Sequence, residues 1–420
     1  MTEKLTPIPP DLAPHFAWVR EPAVVKVVGA LTDREAGSVR FVGGCVRDSL
    51  LGETPKDIDI ATTQTPDQVI AALKRAHLGA APTGLDHGTV TAIADHKGIE
   101  VTTLRADVST DGRRATVAFT RDWEIDARRR DFTVNALYLT PSLELFDPVG
   151  GMADLAARRV RFIGEAEDRI REDFLRILRF FRFSARYAQD FDAVGLKACS
   201  ALKEGVNRLS AERVGDEMTK LLALPAPQGA VKAMAASGVL GQVWPEAPQI
   251  ESLARLKAID PSAAAPLALA ALYGPKGDGL DARLRLSNAQ GSQRRFAVEN
   301  SRLIDFHTDE IAARALLYRL GAGAWRDACL VAEADFLART NAPSGRDPAF
   351  QSLRALPERW TPPRLPFSGK DALRLGVPEG PPVASVIKAA EARWIDEDFP
   401  PRERAIEIFE EEAARAISTG

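Results

Sequence analysis

Two aspartates separated by one isoleucine, Asp57 and Asp59 in "KDIDIATT", are the residue types best placed to do chemistry in this chain. On an extended strand successive side chains alternate faces, so the two carboxylates share one face while Ile58 and Ile60 turn to a core. Two residues of rise set them about 6.6 Å apart at the backbone, close enough to converge on shared cations. Hard carboxylate oxygens at that spacing suit Mg²⁺, and paired divalent ions are the usual means of holding an attacking and a leaving oxygen in nucleotidyl transfer. A solvated edge strand is the alternative for Asp-x-Asp alone. The preceding "FVGGCVRD" weighs against it. Gly43 and Gly44 follow a strand pattern and open a helical one, where exposed N–H groups and absent side chains admit a phosphate. Arg47, one turn on, is positioned to pair with a triphosphate.

Further carboxylates and cations extend this constellation. Glu100, on the strand-like "GIEVTTLR", is the candidate third acid, with Asp95 in the turn "ADHKG" as its competitor. In "ARRRDFTVNALY", Arg129, Arg130 and Asp131 precede Asn135, a set able to hold phosphate oxygens and a ribose hydroxyl; Asp131 as a helix cap beside solvated arginines is the plainer reading. From Arg158 to Arg186 nine arginines face five carboxylates. Arg176, Arg179, Arg182 and Arg186 recur at three- and four-residue steps, giving a stripe expected to face nucleotide or RNA phosphate, with Leu175, Leu178 and Phe183 left for packing.

Elements to position these residues are visible in the patterning. "VRFVGG", "DIDIATT", "GTVTAIAD", "GIEVTTLR" and "NALYLT" read as strands; "VRDSLLG" and the Thr-capped "TPDQVIAALKRAH" read as helices. After "DPVGGMADL" helical spacing dominates, punctuated by "LPAPQG", "YGPKGDG", "NAPSGRDP" and "TPPRLPFSG". The expected fold is therefore α+β, in four consecutive segments: 1–146, 147–224, 225–340 and 341–420.

Composition bounds the rest. With 420 residues, 45% of them hydrophobic, the chain can bury several cores, and a formal charge of −3 leaves nucleic-acid binding to local basic surface. Three scattered cysteines supply neither a disulfide framework nor a zinc spacing, and five scattered histidines supply no metal site. No stretch of eighteen apolar residues and no cationic leader is present, so no membrane association and a cytoplasmic location are expected.

The ordered motifs Gly-Gly-x-Val-Arg-Asp, Asp-Ile-Asp, Arg-Arg-Asp-Phe-Thr-Val-Asn, Asp-Pro-x-Gly-Gly-x-x-Asp and Glu-Asp-x-x-Arg together resemble the class II tRNA CCA-adding enzymes and the related bacterial poly(A) polymerases, within the polymerase-beta-like nucleotidyltransferases. The resemblance covers about Val39 to Leu222. It implies a small mixed-sheet catalytic head followed by all-helical neck, body and tail, the tail binding tRNA. It implies that Asp57 and Asp59 bind Mg²⁺, and that Gly43, Gly44 and Arg47 lie at the triphosphate. Arg129, Arg130, Asp131 and Asn135 are implied at ribose and phosphate, and Asp154 in a flexible joint.

Glu172, Asp173 and Arg176 are the implied base-selecting group, acting without a nucleic-acid template, with Arg179 beside them expected at the nucleotide. Cytosine and adenine each show an amine donor beside a ring-nitrogen acceptor, which a carboxylate and a guanidinium match; uracil and guanine show the reverse. Glu212, Arg213 and Glu217 are expected to brace these helices, and His87 to hold a turn. "RADVSTDGRRATVAFT" is similar to the flexible loop used in switching from C to A. The implied activity is addition of C, C and A to tRNA 3′ ends from CTP and ATP. The alternatives are poly(A) addition and a catalytically inactive RNA-binding relative.

Overall fold

The computed structural model describes residues 4–110, 115–340 and 348–419. They form two compact units: 1–221 together with 229–245, and 222–228 together with 246–420. The first unit carries every candidate site residue.

Its centre is an eight-stranded mixed sheet. In chain order the strands are β1 (Leu5–Pro7), β2 (Val39–Val42), β3 (Asp59–Thr62), β4 (Gly79–Gly84), β5 (Thr89–Ala94), β6 (Lys97–Thr103), β7 (Arg105–Thr110), β8 (Ala115–Phe119), β9 (Tyr138–Leu139) and β10 (Glu144–Phe146). The sheet order is β1-β10-β9-β2-β3-β6-β5-β4, while β7 and β8 pair as a separate antiparallel hairpin. Among the described residues only β3 and β6 pair in parallel, and the crossover between them is the Pro66–Arg75 helix with the β4–β5 hairpin. That helix starts where expected: Thr65 caps it in a reciprocal box with Gln68, and proline occupies its first turn. β4 escaped the sequence reading because "GAAPTG" has little β-propensity; Pro82 is tolerated there because β4 ends the sheet.

The strand holding the aspartates is shorter than the alternation predicts. β3 begins at Asp59; Asp57 stands exposed in a bend before it, and Ile58 is only half-buried. The register gives the reason. Phe41 pairs with Ile60, so β2 has one residue left before Gly43, at φ 74° and ψ −123°, turns the chain off the sheet. Residues ahead of Asp59 thus have no partner on the β2 side.

Two cores hold the site's supports. One packs Val42, Ala61, Trp123, Ala127, Tyr138 and Phe146 around the sheet. The other is aromatic: Phe132 lies 4.9 Å from Phe162 and 5.4 Å from Phe183, and Phe162 stacks on Phe180 at 5.4 Å. Phe180 and Phe183 belong to the Leu175–Tyr187 helix, so the helix carrying the arginine stripe is fixed against the segment after Asp131. The segment "DPVGGMAD" is held by side-chain hydrogen bonds. Asp147 accepts from the N–H groups of Gly151 and Met152, and the buried Asp154 accepts from Thr133 Oγ1, Arg159 and Arg161. A side chain at Gly151 would meet the Thr133 carbonyl oxygen at 2.3 Å.

The second unit is helical throughout its described residues. The Ala265–Tyr273 helix is buried on all sides. The Glu310–Thr340 helix, broken at Gly321, packs Leu317, Trp325 and Cys329 against Phe350 and Leu356. A further cluster joins Phe367, Trp394, Ile408 and Phe409. The punctuating stretch "NAPSGRDP" lies almost wholly outside the described residues. All three cysteines are free and buried, and among the described residues no helix is long and apolar enough to cross a membrane.

Candidate active site

β3 and β6 place Asp59 directly beside Glu100 as in-register partners. Burial and the Glu100 charge push the Asp59 carboxyl up to about 6, with Asp57 adding and Arg130 opposing. Asp95, the competitor of Glu100, sits at φ 48° in the β5–β6 turn and pairs instead with Lys26 at 2.6 Å. Both β3 and β6 open onto a cleft of ≈ 410 Å³ lined by Asp59, Glu100, Arg105, Arg129, Arg130, Asp131, Asp173, Arg176 and Arg179, among others. Segments distant in the chain thus bring carboxylates and five arginines to one cavity. Asp57 is not part of its wall.

The two neighbouring arginines are held from behind by a residue that sequence reasoning passed over. Asp126, fully buried, accepts from Arg129 Nε at 2.8 Å, from Arg130 Nη2 at 3.1 Å, from Tyr138 Oη at 2.7 Å and from the Arg105 N–H at 3.0 Å. Burial opposes its ionisation, but Arg130 and Arg129 overcome that and hold its pKa below the carboxylate range. The only sequence signal was its position three and four residues before two arginines in a short helical pattern, the range of ion pairs on one helix face.

Asp131 and Asn135 are engaged internally. Asn135 Nδ2 donates to Asp131 Oδ1 at 3.0 Å, the Phe132 N–H donates to the same oxygen at 2.9 Å, and Arg179 Nε donates to Oδ2 at 2.7 Å. These partners depress the Asp131 pKa against its burial. Asn135 closes a 3-10 turn, Thr133–Asn135, instead of opening a helix or strand. Arg47 does not reach the cleft. Its guanidinium is buried, donates to Asn135 Oδ1, to Asp48 Oδ1 at 2.9 Å and to Tyr187 Oη at 2.6 Å, and lies over the Tyr187 ring. It ties the helix after Gly43 and Gly44 (Gly44–Leu50) to the Leu175–Tyr187 helix. An apolar wall of Phe183 and Tyr187 and three acceptors within reach make that inward position favourable.

The base-selecting group is also rearranged. The helix Ala166–Glu172 ends before Asp173, which is extended at φ −153° and ψ 106°, and the next helix begins at Leu175. Asp173 and Arg176 therefore do not share a helix face, contrary to the three-residue spacing. The break is stabilised by Asp173 Oδ1, which accepts from the Leu175 N–H at 3.1 Å. Its other oxygen accepts from Arg213 at 2.7 Å. Arg176 donates to Glu172 at 2.6 Å, to the Arg169 carbonyl at 2.8 Å and to the Arg129 carbonyl at 3.1 Å. Glu172 also receives Arg169 and stands behind Arg176, outside the cleft wall.

Of the arginine stripe, Arg176 and Arg179 line the cleft, whereas Arg182 pairs with the buried Glu217 at 2.5 Å and Arg186 with Glu53 at 2.8 Å. Carboxylates from other segments neutralise the later half of the stripe. Glu217 and Arg213 brace the site, as expected. His87 is exposed, and its turn is governed by Gly88, at φ 77°, where a side chain would meet Phe119 at 2.8 Å. The "RADVSTDGRRATVAFT" segment is the β7–β8 hairpin; its tip, 111–114, lies outside the described residues.

Comparison with known proteins agrees with this geometry. The Poly A polymerase head domain matches residues 39–161, and the family described as the probable RNA and SrmB-binding site of polymerase A matches 191–250. The chain is 32% identical over 387 residues to the mitochondrial CCA tRNA nucleotidyltransferase 1 of Mus musculus, covering 88% of this chain and 86% of the relative. It is 41% identical over 206 residues to a CCA-adding enzyme of Streptococcus pyogenes, about half of each protein. Among solved structures, the Bacillus stearothermophilus CCA-adding enzyme in complex with CTP superposes with a TM-score of 0.72 at 26% identity, covering 95% of this chain and 100% of that one. Sequence, fold and site thus converge, and this chain belongs to the CCA-adding tRNA nucleotidyltransferases, a family of enzymes.

Proposed function

We propose that this enzyme adds C, C and A in turn to the 3′ end of tRNA from CTP and ATP, releasing pyrophosphate at each step, with nucleotide choice made by protein side chains. The observation that carries this reading is the pairing of Asp59 with Glu100 at the floor of a cleft whose walls present Arg129, Arg130, Asp173 and Arg176.

The carboxylates fit a divalent cation. Asp59 ionises against its burial and against Glu100, an arrangement that a cation relieves. Among the described residues no three carboxylate, imidazole or thiol groups stand gathered as a complete cage. Mg²⁺ suits that incompleteness, because it takes one or two carboxylates and fills its shell with water and substrate phosphate oxygens. Asp59, with Asp57 and Glu100 flanking it, would hold it. When bound, Mg²⁺ supplies acidification of the attacking hydroxyl and charge neutralisation at the triphosphate.

The chain's own residues do the rest. Arg129 and Arg130 set fixed positive charge opposite the carboxylates, where triphosphate oxygens gather. Gly43, lacking a side chain, leaves space beside Arg130 Nη1. Asp131, held by Arg179 and Asn135, keeps the Arg179 guanidinium at the wall. Arg176 spends three of the five guanidinium N–H donors on Glu172 and two carbonyls, so its plane is fixed and the remaining edge is available to a ring nitrogen. Asp173 offers a carboxylate oxygen to an exocyclic amine. Cytosine and adenine satisfy both groups; uracil and guanine present like to like.

The test is a Mg²⁺-dependent incubation with tRNA lacking its 3′ CCA, given CTP, ATP or both, read at single-nucleotide resolution. Addition of C, C and A followed by a stop is expected. A long A ladder without CTP would convert the reading to a poly(A) polymerase, and no incorporation at all would leave an RNA-binding relative.

A further inference from the structure

Asp126 stands outside the cleft, yet three of the cleft's five arginines converge on it. Its Oδ1 accepts from Arg129 Nε at 2.8 Å and from the Arg105 N–H at 3.0 Å; its Oδ2 accepts from Arg130 Nε at 3.2 Å and Nη2 at 3.1 Å, and from Tyr138 Oη at 2.7 Å. Binding Arg130 through Nε and Nη2 fixes the guanidinium plane and directs Nη1 away from Asp126. That nitrogen would lie 3.9 Å from a methyl placed on Gly43, so it borders the glycine turn. Arg105, tied through its backbone, is the first residue of β7. One carboxylate thus fixes two side chains at the phosphate end of the cleft and the root of the β7–β8 hairpin.

Resting on the nucleotide-site reading above, we infer that Asp126 is a positioning residue for the triphosphate: it orders Arg129 and Arg130 before nucleotide arrives and links their order to the root of the hairpin. Two guanidiniums side by side repel each other, and without a carboxylate between them each would lose its fixed direction. The residue touches no reacting atom. Its effect appears in nucleotide affinity, is shared by CTP and ATP because it acts on phosphate, and spares tRNA affinity.

The experiment compares wild type, Asp126→Asn and Asp154→Asn as full-length proteins. Asp154 is an equally buried carboxylate, also held by two arginines, but it lies away from the cleft and serves as the control for simple destabilisation. Steady-state KM values for CTP, ATP and tRNA, inhibition by inorganic pyrophosphate and thermal midpoints are measured on each. For D126N, KM for both nucleotides is expected to rise roughly tenfold or more, with pyrophosphate inhibition weakened by a similar factor and tRNA KM unchanged. D154N is expected to lower the midpoint without moving nucleotide KM. Nucleotide KM within twofold of wild type in D126N, or an equal rise in D154N, overturns the inference. Should D126N not fold, Tyr138→Phe removes one donor from the same carboxylate and keeps the ring. A roughly 2- to 10-fold weakening of pyrophosphate inhibition then supports the inference, and no change overturns it. Wild-type protein that incorporates no nucleotide would sink the underlying reading instead, so the two failures are distinguishable.

Discussion

Replacing Asp173 by asparagine should relax the choice between cytosine and uracil, and the structure dictates how. Asp173 Oδ1 is committed to the Leu175 N–H at 3.1 Å, a donor that only an oxygen can satisfy. In Asp173→Asn the amide oxygen therefore keeps that bond, and the NH₂ group takes the position of Oδ2, now a donor facing the cleft. Arg213, which donates to Oδ2 at 2.7 Å, loses its acceptor. That pair is substantially exposed and contributes only about 0–1 kcal/mol, so its loss is minor. On the proposed placement, Oδ2 accepts from the amine of cytosine or adenine in a charge-assisted hydrogen bond, whose removal would cost about 1.5–3 kcal/mol. Offsetting that cost by the displaced Arg213 pair leaves about 0.5–3 kcal/mol, or roughly 2- to 150-fold in kcat/KM for CTP and ATP. UTP should not share this loss, because its 4-carbonyl accepts from the new amide. The assay is single-turnover incorporation on tRNA lacking CCA, each nucleotide offered alone. A CTP-to-UTP ratio unchanged within twofold, in a variant with a wild-type thermal midpoint, would refute the placement of Asp173 at the base. Arg213→Gln, which frees Asp173, should change CTP efficiency by less than about fivefold.

Asp59→Asn should lower incorporation by about 10²- to 10³-fold or more while leaving the protein folded. Because the folded pKa of Asp59 is raised to about 6, its stabilising contribution is present below about pH 4 and lost as pH rises through 6. In metal-free buffer the variant should therefore gain on wild type across that window, by about 1 kcal/mol in urea unfolding for this partly exposed group. Asp126, Asp131 and Asp154 carry depressed pKa values, so their stabilisation is present above about pH 4 and is lost as pH falls further. Acid unfolding followed by circular dichroism should accordingly be less steep in Asp154→Asn than in wild type. Gly151→Ala, whose new methyl would stand 2.3 Å from the Thr133 carbonyl oxygen, should cost about 1–3 kcal/mol of stability in urea unfolding. Equal denaturation midpoints would argue against the close packing of this joint.

What could be read from the chain, and what could not, divides by the range of the forces involved. Alternation over Thr89–Ala94 and Lys97–Thr103 specified β5 and β6, and the Thr65–Gln68 box specified a helix start, because each depends on residues within a few positions. The pairing of Arg176 with Glu172 is equally short in sequence, four residues apart, but it spans the break between two helices. Asp57 falls short of the expected strand, because on one side the partner strand ends at a glycine fourteen residues earlier. The division of the arginine stripe was not legible because its neutralising charges lie far away: Glu217 is 35 residues beyond Arg182, and Glu53 is 133 residues before Arg186.

Helical periodicity reports which side chains share a face, but the role of that face depends on the charge that the fold brings opposite. Here the fold opposes Arg182 and Arg186 with carboxylates and turns Arg176 and Arg179 to a cavity, so one continuous pattern serves two purposes. A positive cleft built from this stripe alone would repel itself. Buried acids at Asp126, Asp131 and Glu217 offset part of that charge while Arg129, Arg130 and Arg179 stay at the cavity wall, so the direction of the cations is set by the acids that hold them.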